Sequence, residues 1–187
     1  MKKMFAVVFA VVCTLGLTAG ELKIVKATYG YGDQVIDVTE KVQNFQRGMA
    51  GAFLLIRPDN KLLGADPAPR KPKVLTVTYT DGGEEKTVQL PERRLGVVVA
   101  DAVPAQEFKL LRGFYGYGNA WKEVTSQLLT ALENKTVLAI NNSTLGPDPA
   151  PRKKKELVVI YTQENKIQFL ILSEKTEFSS ESFNQKP

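Results

Sequence analysis

The chain has 187 residues, 24% of them charged and 43% hydrophobic, with a formal net charge of +5, one cysteine and no histidine. The missing histidine removes the Ser-His-Asp and Cys-His nucleophile systems and the commonest zinc ligand, so any catalysis would fall to carboxylates, Lys, Tyr or a hard cation. The cationic bias is too small to argue for nucleic acid.

The first element is "MKKMFAVVFAVVCTLGLTAG". Lys2 and Lys3 precede an apolar stretch from Met4 to Leu17, and the small residues Thr18-Ala19-Gly20 follow, which is the order of a secretory signal. The stretch is short for a membrane span. Cys13 lies inside it, without the leucine and small residues that precede a lipoprotein cysteine. Residues 1–20 are therefore expected to be removed on export to the periplasm or the medium. The mature chain would keep no cysteine, no disulfide and no membrane span, and would depend on its core for stability.

"ELKIVKATYG" alternates Leu22 and Ile24 with Lys23 and Lys26, a half-buried strand signal, and "QVIDVT" reads as a second strand. After Thr39 the spacing turns helical, with Val42 and Phe45 on one face and Thr39 placed as N-cap. "GAFLLIR" is a strand again. The loop "LGADPAPRKPK" (63–73) leads into "VLTVTYT" and "EKTVQL", joined as a hairpin through Asp81-Gly82-Gly83, and "RLGVVVA" (94–100) adds a last strand.

The series then repeats. "ATYGYGDQVIDVTEKV" (27–42) lines up with "GFYGYGNAWKEVTSQL" (113–128) at an offset of 86, and "LGADPAPRKPKVLTVTYT" (63–80) with "LGPDPAPRKKKELVVIYT" (145–162) at an offset of 82. "TSQLLTALEN", opened by Thr125, is the second helix. "KTVLAIN", "ELVVIYT" and "KIQFLIL" are strands, the last two joined through Gln163-Glu164-Asn165. The pattern predicts a mainly β, β-sandwich-like protein with one short helix in each of two tandem repeats, packed with approximate two-fold symmetry. Residues 21–100 form the first repeat, 101–107 a linker, 108–177 the second repeat, and 178–187 a polar, flexible tail.

Three motifs recur. Tyr29-Gly30-Tyr31-Gly32 and Tyr115-Gly116-Tyr117-Gly118 read as strand-ending turns over a core, while Tyr31, Tyr117 and Trp121 could also offer flat faces to sugar rings or bases. Asp37-Val38-Thr39 and Glu123-Val124-Thr125 pair an acid with a capping hydroxyl; as a catalytic pair, Asp37 and Glu123 would be the acid and base of a glycosidase. Each acid holds the same place in its own repeat, which favours a structural device. In the doubled phrase, Pro67, Pro69, Pro149 and Pro151 stiffen the loop, and Asp66 and Asp148 initiate turns. Arg70, Lys71 and Lys73, with Arg152, Lys153 and Lys155, form either a solvated cationic end or an anion site. No EF-hand spacing supports calcium at the aspartates. No catalytic residue, cofactor or metal is assigned.

Tyr-Gly, then Asp-Val-Thr, then Leu-Gly-x-Asp-Pro before "LTVTY" resembles the C-terminal domain of DnaJ-like proteins of subfamily C, member eleven, over Ile24 to about Leu90 and again over Leu110 to about Leu172. Where that family's "LGGDPAPG" has glycine after the second proline, this chain has Arg70 and Arg152, and the second copy has Glu123 in place of the aspartate. The resemblance implies a domain without an assigned activity. Co-chaperone function does not transfer, because a J-domain works through His-Pro-Asp. The expectation is an exported, non-enzymatic binding or scaffold protein of the cell envelope that recognises a polysaccharide or a protein partner. A carboxylate-based glycan hydrolase and a purely structural protein are the alternatives.

Overall fold

The computed structural model describes residues 22–47, 53–100 and 107–184. The signal segment and nearly all of the expected linker lie outside the described residues.

The first half runs β1 (Lys23–Tyr31), β2 (Gln34–Asp37), α1 (Thr39–Arg47), β3 (Phe53–Ile56), α2 (Asn60–Leu63), β4 (Val74–Asp81), β5 (Glu84–Pro91) and β6 (Gly96–Val99). The second runs β7 (Lys109–Tyr117), β8 (Ala120–Glu123), α3 (Thr125–Glu133), β9 (Leu138–Ala139), α4 (Asn142–Leu145), β10 (Glu156–Gln163), β11 (Lys166–Ser173) and β12 (Glu177–Phe178), closed by a 3-10 turn at Ser180–Asn184. The chain is mainly β. Each half has an antiparallel four-stranded sheet, β2-β1-β4-β5 or β8-β7-β10-β11, and a two-stranded ribbon, β3-β6 or β9-β12. The registers correspond: Tyr29 lies opposite Leu75, and Tyr115 opposite Leu157.

Turn chemistry explains the hairpins. Gly82 and Gly83 (φ 58° and 92°) join β4 to β5, while Glu164 and Asn165 (φ 52° and 58°) join β10 to β11. Two consecutive positive φ values match the right-handed twist of the flanking strands. Gly30 and Gly116 have a different role: a Cβ there would sit 2.0 and 2.1 Å from the carbonyl oxygens of Gln34 and Ala120, so only glycine lets β1 and β7 run against their partners.

Each half has two short helices rather than one. The one-turn α2 and α4 escape a periodicity reading because four residues carry no period. Asp59 accepts from the Leu62 N–H and Asn141 from those of Ser143 and Thr144, while Gly64 and Gly146 end the turns at φ near 90°. The threonines expected to cap α1 and α3 do something else. Thr39 Oγ1 accepts from the Ala27 N–H (2.9 Å) and Thr125 Oγ1 from the Gly113 N–H (3.0 Å), tethering each helix start to the neighbouring strand.

The halves form a stack. Leu22, Ile24, Tyr29, Leu75 and Val77 of the first sheet meet Val42 of α1 and Leu54, Ile56 and Val98 of the first ribbon in one core. The ribbon's other face, with Phe53, Leu55, Val97 and Val99, packs on Phe114, Val158, Ile160 and Trp121 of the second sheet. The far side of that sheet closes a third core with Leu128, Ile140 and Phe178. The contact between halves thus joins a ribbon to a sheet. It is head to tail, and the approximate two-fold packing expected from the duplication gives way to two units pointing the same way.

Side chains account for this. The counterparts of Phe114, Val158 and Ile160 in the first sheet are Thr28, Thr76 and Thr78, all only half-buried. The counterparts of Phe53, Leu55, Val97 and Val99 beyond the second sheet are Lys135, Val137, Ser179 and Glu181, and Val137 is 62% exposed. Apolar surface is concentrated where the two halves meet.

The tail expected to be flexible is packed through Asn184. Phe178 is fully buried, and Phe183 stacks edge-on against Phe108, Tyr161 and Phe178 at ring-centroid distances of 4.7 to 5.6 Å.

Candidate functional site

The doubled proline loop has one design in both halves. The Ala68 and Ala150 amides donate to Asp66 Oδ1 (3.3 Å) and Asp148 Oδ1 (3.0 Å), so both aspartates initiate turns. The Lys71 and Lys153 amides then close back on the Ala68 and Ala150 carbonyls, with Pro69 and Pro151 second in the turn. Arg70 and Arg152, third in the turn, have φ 64° and 63°. Proline followed by a positive φ is the type II arrangement, where glycine is unstrained and a side chain costs about 1–2 kcal/mol. Both arginines thus occupy a turn position that glycine would fill without strain, and both are exposed.

Lys73 and Lys155 do not face solvent. Each is about 4% exposed and ends inside the fold, which corrects their assignment to an anion site. Lys73 Nζ lies 3.2 Å from Asp66 and 3.4 Å from Glu92; Lys155 Nζ lies 3.3 Å from Asp148 and 3.0 Å from Glu174. Tyr29 O–H donates to Asn60, and the single Tyr115 O–H proton lies between Glu174 (2.8 Å) and Asn142 (3.1 Å). The charges of Lys73 and Lys155 are thus answered within the protein.

The electrostatics follow. Burial opposes charge on Glu174, but hydrogen bonds from Tyr115 and Lys155 outweigh it and hold the carboxyl below its usual range. Burial likewise opposes charge on Lys155, and its bonds to Glu174 and Asp148 raise the ammonium above its usual value. Burial, with an acceptor carboxylate beside it, pushes the Tyr29 and Tyr115 phenols far up. At Lys155 and Glu174 these shifts favour the charged pair, at both tyrosines the neutral phenol, and the two clusters serve as structural locks.

The remaining loop lysines meet the second tyrosine of each Tyr-Gly-Tyr-Gly turn. Lys71 Nζ lies 5.9 Å from the Tyr31 ring centre, and Lys153 Nζ 5.8 Å from that of Tyr117. At Tyr117 the first half adds Arg57, whose guanidinium is 5.1 Å from the ring centre. Arg57 is itself fixed by Glu156 (2.5 Å) and the Arg93 carbonyl (3.1 Å). Around this ring opens a cleft of about 470 Å³ between the halves, lined by Phe45, Arg57, Asp59, Lys61 and Leu62 on one side and Tyr117, Asn119, Ala150 and Lys153 on the other. Asp59 is committed to capping α2. Lys61 has no ion pair or hydrogen bond among the described residues, and with Lys153 it supplies the cleft's unpaired positive charge.

The structure thus joins Tyr117 to Lys153 and Tyr31 to Lys71. It separates Trp121, which packs between the halves and donates its Nε1–H to the Gly118 carbonyl (2.9 Å). Asp37 accepts from the Thr39 N–H (2.8 Å), which is the main cause holding its carboxyl below the usual range. Glu123 accepts from the Thr125 hydroxyl (2.9 Å) and pairs with Arg112 (3.4 Å). Neither acid lines the cleft.

Arg57, Asp59, Lys61 and Asn119 were not legible as site residues from the sequence. The signal that points to two of them is asymmetry between the copies: the counterparts of Arg57 and Lys61 are Ala139 and Ser143, on the ribbon that meets no further sheet among the described residues. Among the described residues no cluster of His, Cys, Asp and Glu could hold a metal ion, and no helix is long and apolar enough to cross a membrane. No known protein family, curated protein or solved structure matches the chain.

Proposed function

We propose that the protein is an exported, non-enzymatic binding module of the cell envelope that holds an anionic polysaccharide in the cleft between its halves. The observation that carries this reading is Tyr117, an aromatic wall bordered by Arg57 and Lys153 in a cleft whose lining sets three cations, Arg57, Lys61 and Lys153, against one carboxylate, Asp59. A ring beside held cations suits a sugar bearing a carboxylate or sulfate, since the ring accepts the apolar sugar face and the ammonium groups the anion. Export rests on the signal-like order of residues 1–20. The hydrolase alternative would need Asp37 and Glu123 to converge, and neither lines the cleft; the lowered Asp37 carboxyl also does not suit the proton-donor role.

The test is thermal unfolding of the purified protein against carboxylated, sulfated and neutral glycans. A ligand at about 100 times its Kd stabilises by roughly 2.7 kcal/mol, which moves Tm by about 5 to 11 °C in a chain of this size. The shift is expected with acidic glycans and should disappear in Lys153→Ala, an exposed position whose loss leaves the fold intact. No shift with any glycan would sink the proposal and leave a protein partner or a purely structural role.

A further inference from the structure

The first half carries the same tyrosine and lysine pair as the cleft, on the sheet that no second ribbon covers among the described residues. Tyr31 is 47% exposed beneath Lys71 and borders an open groove of about 240 Å³ whose lining includes Thr28, Thr76 and Gln89. The corresponding positions in the second half are Phe114, Val158 and Ile171, two of them buried beneath the first ribbon. Among the described residues this sheet face therefore presents hydroxyl and amide groups beside an exposed ring, a surface suited to a hydroxyl-rich chain.

We infer that Tyr31 with Lys71 forms a second subsite equivalent to that at Tyr117, and that the ligand is a linear, directional anionic polysaccharide spanning both. This rests on the function proposed above and adds the ligand's shape. One ribbon layer lies between the two sheets, and face-to-face layers sit about 10 Å apart, so the subsites are separated by about 20 Å along the stack. Because the halves are related head to tail, a polymer with a direction meets both subsites in the same sense; a two-fold pair would present them reversed. Two linked weak sites convert the second contact into an intramolecular one and raise avidity by about 10² to 10⁴.

The experiment is titration calorimetry of the purified protein with a disaccharide and a dodecasaccharide of a uronic acid. The disaccharide is expected to bind twice per chain, and the dodecasaccharide once, at least about a hundredfold more tightly. Tyr31→Ala and Lys71→Ala, the second guarding against any misfolding of the first, should each halve the disaccharide stoichiometry and reduce the long chain's affinity to that of the short one. Equal affinity for both lengths, one site per chain and indifference to the Tyr31 and Lys71 substitutions would overturn the second subsite while leaving the cleft reading in place. Absence of binding at either length would overturn both.

Discussion

Replacing Lys155 by methionine tests whether the doubled phrase is first a folding device. The ammonium is about 4% exposed and answers two carboxylates, Asp148 at 3.3 Å and Glu174 at 3.0 Å, besides donating to the Lys153 carbonyl. Removing one member of a buried ion cluster costs about 3–5 kcal/mol, because the partner charges stay desolvated. The side chains of Asp148 and Glu174 are 30% and 13% exposed and keep some water, which places the expected loss near the lower bound, about 3 kcal/mol. For a chain of this length that lowers Tm by about 6 to 12 °C. Urea and thermal unfolding of Lys155→Met should show this, while Lys154→Met, one residue away and exposed, stays within about 0.5 kcal/mol. Adding Glu174→Gln to Lys155→Met should cost less than the two single losses combined, since it removes the stranded charge. A loss under about 1 kcal/mol in Lys155→Met, or strict additivity in the double variant, would refute the lock.

The head-to-tail contact predicts a contrast between counterpart residues: Leu55→Ala should cost about 2–5 kcal/mol in urea unfolding, whereas Val137→Ala should change stability by no more than about 0.5 kcal/mol. Similar costs at the two positions would contradict it. The locks also shape the pH profile. Glu174 is lowered in the fold, so its contribution is present above about pH 4.5 and is lost as pH falls through the lowered value; Tyr115 is raised, so its contribution is present below about pH 10 and is lost as pH rises. Urea midpoints measured across pH should fall on both sides, and Glu174→Gln should flatten the acid side and, by removing the carboxylate beside Tyr115, lessen the alkaline fall as well.

Much of this architecture was legible in the residues. The strand alternation from Leu22 to Tyr29, the Asp81-Gly82-Gly83 and Gln163-Glu164-Asn165 turns, and the duplicated order of elements all express local chemistry, which a linear reading captures. The direction of packing was not local. It depends on comparing Thr28, Thr76 and Thr78 with Phe114, Val158 and Ile160, a contrast between copies that a search for likeness passes over. Burial of Lys73 and Lys155 was invisible for another reason. Lysine is usually solvated, and the carboxylates that draw these two inward, Glu92 and Glu174, lie 19 residues away in sequence, on the turns after β5 and β11. The cleft was missed because half of its wall comes from the other repeat.

A contact between unlike surfaces has no built-in end. If the second ribbon could seat on another molecule's first sheet, as the first ribbon seats on the second sheet, each addition would recreate the same vacancy and the product would be a fibre of unlimited length. Thr28, Thr76 and Thr78 at one end, and Lys135, Ser179 and Glu181 at the other, withhold the apolar surface such growth requires. Substitutions there toward the Phe, Val and Ile of the internal junction are expected to favour end-to-end growth.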